Sequence, residues 1–159
     1  MARSPIDVLQ DFLLNAFNPE RLEDAVARLV ADDATYVSLS YDDPDLALIM
    51  PWAGTKHGKD VFASNFRGVT TRWTNDAFEI RETIEEGEKV VLFGSFTLRS
   101  TVLNKSVTSA FAVFARVRDD KIHYFLYMED TFATARSFLE SGTWVFRADP
   151  DETEPIRIS

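Results

Sequence analysis

The stretch YFLYMEDT, residues 124–131, places two carboxylates at the end of an apolar and aromatic run. Burying a carboxylate is costly unless it is paired or takes up a proton, so a carboxyl group here could act as an acid/base of raised pKa. Such a group could move a proton next to a carbonyl, or between two carbons of a small hydrophobic molecule. Because alternate residues of a strand face opposite sides, Glu129 and Asp130 are not expected to act as a pair.

Other side chains could donate hydrogen bonds to an oxyanion that develops during such a reaction. These side chains are Tyr36, on the first predicted strand, and Trp52, His57, Trp73 and Tyr124. The two tryptophans flank a loop and a helix that would close a cavity, although core packing is the alternative for any large ring. An exposed loop position is the alternative for the histidine. The sequence alone does not bring any two of these donors together.

Composition argues against several classes of protein. The formal net charge of −9 has the wrong sign for a phosphate-binding surface, so we expect no nucleic-acid partner. The chain has no cysteine, two histidines without metal-binding spacing and no glycine-rich nucleotide loop, so we expect neither a metal nor a cofactor. No apolar run approaches the roughly 18 residues of a membrane span, and the N-terminus does not resemble a signal peptide. A cytoplasmic protein without a membrane partner is the expectation.

Hydrophobic spacing and turn residues predict the order of the elements. Ser4 and Pro5 are typical of a helix start, and ATYVSLSY, from Ala34, has the β-branched and aromatic content of a strand. In chain order we predict helices at about 5–17 and 19–32, a strand from 34, a loop at 41–58, a helix at 61–69, and strands at about 75–84, 89–103, 106–118 and 122–130.

Short polar connections between the last strands predict an antiparallel meander, and hence an α+β fold. The strand at 106–118 is apolar on both faces, because Val113 alternates with Ala112 and Phe114. Three helices cannot cover both faces of so long a sheet, so we expect a homodimer. Residues 1–146 are predicted to form one domain, and the acidic, proline-containing segment 147–159 a mobile tail.

Two segments in this order and separation resemble the SnoaL-like and ketosteroid-isomerase-like branch of the NTF2-like superfamily. They are PWAGTKHGKDVFASNF, residues 51–66, and RVRDDKIHYFLYMEDT, residues 116–131, and the resemblance extends over about residues 5–140. It implies a cone-shaped domain in which a curved sheet wraps around about three N-terminal helices to leave an apolar cavity, usually in a homodimer. Members include isomerases, polyketide cyclases, dehydratases and epoxide hydrolases, and also proteins without catalytic activity, so the fold does not fix the function.

The resemblance implies that the cavity face of the last strand ends in Asp130. Among apolar neighbours its pKa should rise, which makes Asp130 the predicted catalytic acid/base. The alternative is that Asp130 caps a helix that begins near Thr131. The residues expected to contact the ligand are Tyr36, Trp52, His57, Phe66, Trp73, Val113, Tyr124 and Met128.

Two residues depart from the pattern of this branch. Val113 occupies the position where many members have a pocket histidine, and Asp120 replaces the glycine of a common turn. The first change removes a partner for two-group acid/base chemistry. Three functions therefore stay open. The first is isomerase or cyclase chemistry at Asp130 on a small hydrophobic, polyketide-like or steroid-like molecule. The others are a non-catalytic module of the same fold that binds a ligand or dimerises, and a purely structural subunit of a larger enzyme.

Overall fold

The structure, a computed structural model, describes residues 3–159 as five helices and eight strands. The helices are α1 (Pro5–Ala16), α2 (Leu22–Leu29), α3 (Pro44–Ile49), α4 (Lys59–Arg72) and α5 (Thr131–Arg136). The strands are β1 (Val30–Ser38), β2 (Gly54–His57), β3 (Trp73–Glu86), β4 (Lys89–Ser100), β5 (Ser106–Arg118), β6 (Lys121–Glu129), β7 (Trp144–Phe146) and β8 (Ile156–Ile158). The α+β class is confirmed.

The first helix begins as the sequence predicts. The Ser4 hydroxyl accepts a hydrogen bond from the Asp7 backbone amide at 3.2 Å, and Pro5 occupies the first turn. The second helix stops earlier than predicted, because the chain passes directly from Leu29 into β1. The longest helix, α4, has 14 residues, and no helix among residues 3–159 is both long and apolar enough to cross a membrane.

Six strands form one sheet in the order β2-β1-β6-β5-β4-β3. The hairpins from β3 to β6 are antiparallel, as predicted from their short connections, whereas β1 runs parallel to β6. The predicted loop at 41–58 also contains α3 and β2. Because β6 lies next to β1 in the middle of the sheet, its C-terminal end reaches the wall formed by β1.

The sheet bends around Gly94 in β4. Strand β3 has register shifts between Asn75 and Ala77 and between Ile80 and Glu82, and the second shift lies opposite Gly94. A Cβ atom at this glycine would lie 2.1 Å from the backbone oxygen of Glu79 and 2.7 Å from the Phe111 ring. Bulges of this kind increase the local twist, so the close approach allowed by Gly94 helps β3 to curve over the helices.

Replacing Gly94 by alanine is expected to destabilise the fold by about 1–3 kcal/mol, because the added methyl group would overlap backbone and an aromatic ring. Equilibrium denaturation measures the effect. The neighbouring Ser95→Ala is the control, since Ser95 lies on the other face of β4 and is half-buried. If both variants have the same denaturation midpoint, the backbone near Gly94 accommodates the added methyl group without loss of stability.

The core lies between the concave face of this sheet and helices α1 and α4. Phe12 of α1 contacts Phe62, Phe66 and Phe125 edge to face, with ring centroids 5.3–5.9 Å apart. These aromatic contacts fix the distance between the helices and β6. They fill one end of the cone and leave space towards the C-terminal end of β6.

The C-terminal segment departs from the sequence prediction in part. The predicted tail begins after Phe146, yet Ile156–Ile158 of this segment forms β8 and pairs with β7. Trp144 of β7 also contacts the ring of Phe132 in α5, with centroids 4.8 Å apart. The end of the described chain is therefore folded back beside α5.

Candidate active site

A narrow cavity lies between the concave face of the sheet and the helices. It holds about 440 Å³ of space including its mouth, but the centre of a water molecule can reach only about 30 Å³ of it. Its walls are formed by Phe17, Tyr36, Ser38, Leu39, Trp52, Phe66, Val69, Trp73, Asn75, Phe78, Phe96, Leu98, Tyr127 and Glu129.

Glu129, the last residue of β6, supplies the carboxyl group of this cavity. Its Oε1 atom is buried and is the one such side-chain atom within residues 3–159 that has no hydrogen-bond partner. Burial raises the pKa of Glu129 to about 7; contact with the Thr134 hydroxyl opposes this rise, and the nearby Asp130 charge adds to it. A group with this pKa can both accept and donate a proton near neutral pH.

Two tyrosine hydroxyl groups belong to the same cavity. Tyr36 is on β1 and Tyr127 is on β6, and both side chains are buried. Burial raises the pKa of both phenols, the neighbouring Glu129 carboxyl raises it further, and the Ser38 hydroxyl partly offsets the rise for Tyr36. Both phenols therefore keep their protons and can donate hydrogen bonds to an oxygen atom of a ligand.

Two tryptophans form another part of the wall. The rings of Trp52 and Trp73 are 5.2 Å apart, and Trp73 also stacks on Phe138 at 4.6 Å. The Trp73 Nε1–H donates to the Ser137 hydroxyl at 2.9 Å. Since its donor is already used, Trp73 serves as an apolar wall rather than as the predicted oxyanion donor. The buried Asn65 side chain donates a hydrogen bond to the backbone carbonyl of Trp52 at 3.4 Å, which helps to fix the position of Trp52.

The electrostatic character of the cavity is simple. Among the wall residues in the described part of the chain there is no lysine, arginine or histidine, and Glu129 is the one carboxylic acid. An anionic ligand would lack a counter-charge and would be repelled by ionised Glu129. The cavity therefore disfavours an anionic ligand.

Four of the residues predicted to contact a ligand lie on this wall. They are Tyr36, Trp52, Phe66 and Trp73. The fold brings these four residues together from β1, the loop before β2, α4 and the start of β3, respectively. Ligand contact by these four side chains stays a prediction.

The predicted position of Asp130 on the cavity face is wrong. Its side chain is exposed, and its Oδ1 accepts a hydrogen bond from the Ala133 amide at 3.0 Å as the N-cap of α5. This is the alternative that the sequence left open. The Asp130 backbone amide in turn donates to the Ser109 hydroxyl at 3.0 Å, which ties the cap to β5.

The error concerns which face of β6 meets the cavity. Alternation correctly groups Phe125, Tyr127 and Glu129, and this group points to the concave side. A register shift between β5 and β6, where Tyr124 pairs with Arg116 but Ile122 pairs with Val117, turns Ile122 to the buried side as well. The resemblance selected the opposite face, and the structure overturns that choice.

Four other predicted contact residues do not belong to the cavity wall. Val113 is buried beside Tyr127 in the sheet, and Tyr124 and Met128 lie on the convex face, where Met128 is 44% exposed. His57 is exposed at the sheet edge, with its Nδ1 3.2 Å from the Thr35 hydroxyl. The prediction that these side chains line the cavity is therefore wrong.

Sequence reasoning missed Tyr127, Glu129 and the turn at Leu39. The signal for the first two was available, since Phe125, Tyr127 and Glu129 share one face of the strand. Leu39 had no such signal. It adopts a left-handed φ of 64°, which is rare for a large side chain, and its amide donates to the Tyr127 carbonyl at 2.8 Å.

Comparison with known families and proteins gives consistent matches. The family model of a SnoaL-like domain matches residues 9–125. The patulin synthesis protein F of Aspergillus clavatus is 42% identical over 139 residues, which cover 86% of this chain and 69% of that protein. The patulin biosynthesis cluster protein F of Penicillium expansum is 39% identical over 153 residues, which cover 94% and 76%.

Solved structures match the fold at lower identity. An NTF2-like protein of Burkholderia thailandensis aligns with a TM-score of 0.69 and 21% identity, over 86% of this chain and 98% of that chain. TerC, co-crystallised with polyporic acid, aligns with a TM-score of 0.67 and 22% identity, over 83% and 95%. These likenesses establish the NTF2-like cone and carry no information on the substrate.

Proposed function

Because this chain belongs to the SnoaL-like domain family, we propose that it is a biosynthetic isomerase or cyclase that works through the acid/base chemistry of Glu129. One observation carries the proposal. The carboxyl group of Glu129 lies at an apolar cavity wall with a raised pKa and an unpartnered oxygen. An unpaired buried carboxyl is costly to the fold, and such groups concentrate at catalytic sites.

The shape and charge of the cavity favour a small neutral carbonyl compound as substrate. The narrow space suits one ring better than a steroid skeleton, and the wall offers aromatic surfaces with two phenol donors. The names of two relatives refer to the synthesis or biosynthesis of patulin, which supports a role in making a small metabolite. We propose an oxygenated ring with an acidic C–H next to its carbonyl.

The proposed reaction begins with ionised Glu129. Its carboxylate takes the proton from the carbon next to the carbonyl, and the electron pair of that C–H bond moves to give an enolate. Tyr36 and Tyr127 donate hydrogen bonds to the enolate oxygen as its charge develops. Protonated Glu129 then returns the proton to the far carbon of a conjugated enolate, which shifts the double bond and isomerises the substrate. In the cyclase alternative, the enolate carbon attacks a second carbonyl carbon of the substrate, the π electrons of that C=O bond move to its oxygen, and protonated Glu129 gives its proton to the resulting alkoxide.

Deuterium incorporation tests this chemistry without knowledge of the natural substrate. The protein is incubated in D₂O with a neutral cyclic ketone, such as 2-cyclohexen-1-one, and loss of the C–H signal next to the carbonyl is followed by proton NMR. We expect exchange faster than in buffer alone. A ketone that binds will perturb the fluorescence of Trp52 and Trp73. If the C–H groups of such a bound ketone exchange with D₂O only at the rate seen in buffer, the proposal is contradicted.

The second candidate function, a dimerising module, is favoured by the convex face of the sheet. An apolar row crosses three strands there, since Phe93 pairs with Ala112 and Ala112 pairs with Met128. The side chains at the two ends of this row, Phe93 and Met128, are 45% and 44% exposed. We propose that a second copy of the chain covers this row, which is compatible with the enzymatic proposal because the cavity opens on the other face.

A charge in this row should separate the two copies. We expect the wild type to sediment at twice the chain mass and Met128→Glu at the chain mass, because a buried, unpaired carboxylate is strongly unfavourable at an interface. Val102→Glu is the control, since Val102 is 84% exposed in the β4–β5 turn. A monomeric wild type, or a dimer that tolerates Met128→Glu, would contradict the proposed interface.

A further inference from the structure

A second hollow lies directly outside the cavity, and we call it the vestibule. It lies between the α1–α2 turn, the end of α4 and the start of β3, next to β4. The centre of a water molecule can reach about 290 Å³ of the vestibule, far more than in the cavity. Its walls are formed by Phe17, Pro19, Val69, Thr70, Trp73, Thr74, Asn75 and Leu98.

The vestibule and the cavity share part of their walls. The shared residues are Phe17, Val69, Trp73, Asn75 and Leu98. The wide outer hollow and the narrow inner one therefore adjoin across these five residues. We infer that the small molecule enters the cavity through the vestibule, and that Val69 controls its passage.

Val69 is the side chain of this boundary best placed to act as the gate. Phe17 is held between two rings, with centroids 5.3 Å from Phe66 and 5.2 Å from Phe78. Val69 is half-buried near the C-terminal end of α4, three residues before that helix ends at Arg72. A change of its volume alters the width of the boundary with little disturbance of the aromatic core.

Another surface hollow offers a poorer route. This groove is lined by Ile49, Arg72, Val102, Leu103, Phe138 and Glu140. None of these residues lines the cavity. Passage from the groove would have to separate Trp73 from Phe138, which stack at 4.6 Å, and strain the hydrogen bond from Trp73 to Ser137.

The vestibule also matches the chemistry of the cavity. Its polar side chains are Thr70, Thr74 and Asn75, and no charged residue belongs to its wall. Hydroxyl and amide groups can bind an oxygenated neutral molecule without holding it tightly. Both hollows thus disfavour anionic compounds. The route requires that the cavity admits a small molecule and does not require Glu129 to be catalytic.

Acrylamide, a small neutral amide, is the probe for this route, because it quenches tryptophan fluorescence on contact. A Trp144→Phe parent leaves Trp52 and Trp73, the two cavity tryptophans, as the emitters. In this parent we expect Val69→Ala to raise the quenching constant about twofold and Val69→Phe to lower it about twofold, as for a gate that limits access. The near-ultraviolet circular dichroism spectrum verifies that each variant keeps its packing.

The matched controls are Val102→Ala and Val102→Phe, in the groove whose residues do not line the cavity. They should leave the quenching constant unchanged. The inference is overturned if the quenching constants of the Val69 variants equal that of the parent, or if the Val102 variants change the quenching constant instead. Fluorescence quenching needs no catalytic turnover, so the two proposals can fail separately. If the Val69 variants change the quenching constant but the protein catalyses no deuterium exchange, the proposed function is refuted and the proposed route is supported.

Discussion

Replacing Glu129 by glutamine is expected to slow deuterium incorporation into the bound ketone by about 10²–10⁴-fold, the usual contribution of a positioned acid/base. Glutamine keeps the shape of the side chain but cannot take a proton from carbon. The exchange rate, measured by proton NMR at saturating ketone, gives the effect directly. In the wild type, the rate should rise as the pH passes about 7, because the ionised carboxylate is the reactive form.

The adjacent residue provides the matched control. Asp130→Asn changes a carboxylate to an amide one position along the chain, on an exposed side chain that caps α5. Asparagine is also a good N-cap, so we expect near-normal exchange and little loss of stability. An Asp130→Asn variant as slow as Glu129→Gln would transfer the catalytic role back to Asp130 and refute our assignment.

The sequence signals that predicted elements correctly are local ones. Ser4 and Pro5 define the start of α1 because cap chemistry involves only neighbouring residues. The meander follows from short polar turns, because they cannot accommodate a crossover connection. The fold class needed no more than these signals and the resemblance.

The site was harder to predict, because it depends on contacts between distant segments. Alternation groups Phe125, Tyr127 and Glu129, but it does not say which face of β6 becomes concave. That choice depends on the pairing of β6 with β1 and on the curvature near Gly94, where the backbone of Glu79 approaches. Neither feature is encoded by the sequence of β6 itself.

The two carboxylates of YFLYMEDT, Glu129 and Asp130, have different roles. Asp130 begins a helix, is exposed and accepts a hydrogen bond from the Ala133 amide. Glu129 ends a strand, faces an apolar cavity and keeps an unpartnered oxygen. The strand-to-helix junction between them turns one carboxylate to solvent and the other to the cavity. This division explains why a segment suited to a protein core ends in two acids.

The cost of burying Glu129 should appear in the stability of the protein. The pKa is about 7 in the fold and 4.5 without the fold, so the native state holds a proton more tightly than the unfolded state. Stability attributable to this group is complete below about pH 4.5, and it is lost as the pH rises through about 7. The loss is about 3 kcal/mol, since each pH unit between the two pKa values corresponds to about 1.4 kcal/mol.

The Glu129→Gln variant lacks this titration and should gain stability relative to wild type as the pH rises. We expect the difference in free energy of unfolding, variant minus wild type, to increase by about 3 kcal/mol between pH 4 and pH 8. Urea denaturation at several pH values measures it, and Asp130→Asn is again the control, since it removes the exposed carboxylate one position along the chain. A pH-independent difference would mean that the Glu129 carboxylate is solvated in the native protein, and the raised pKa on which the acid/base proposal depends would be lost with it.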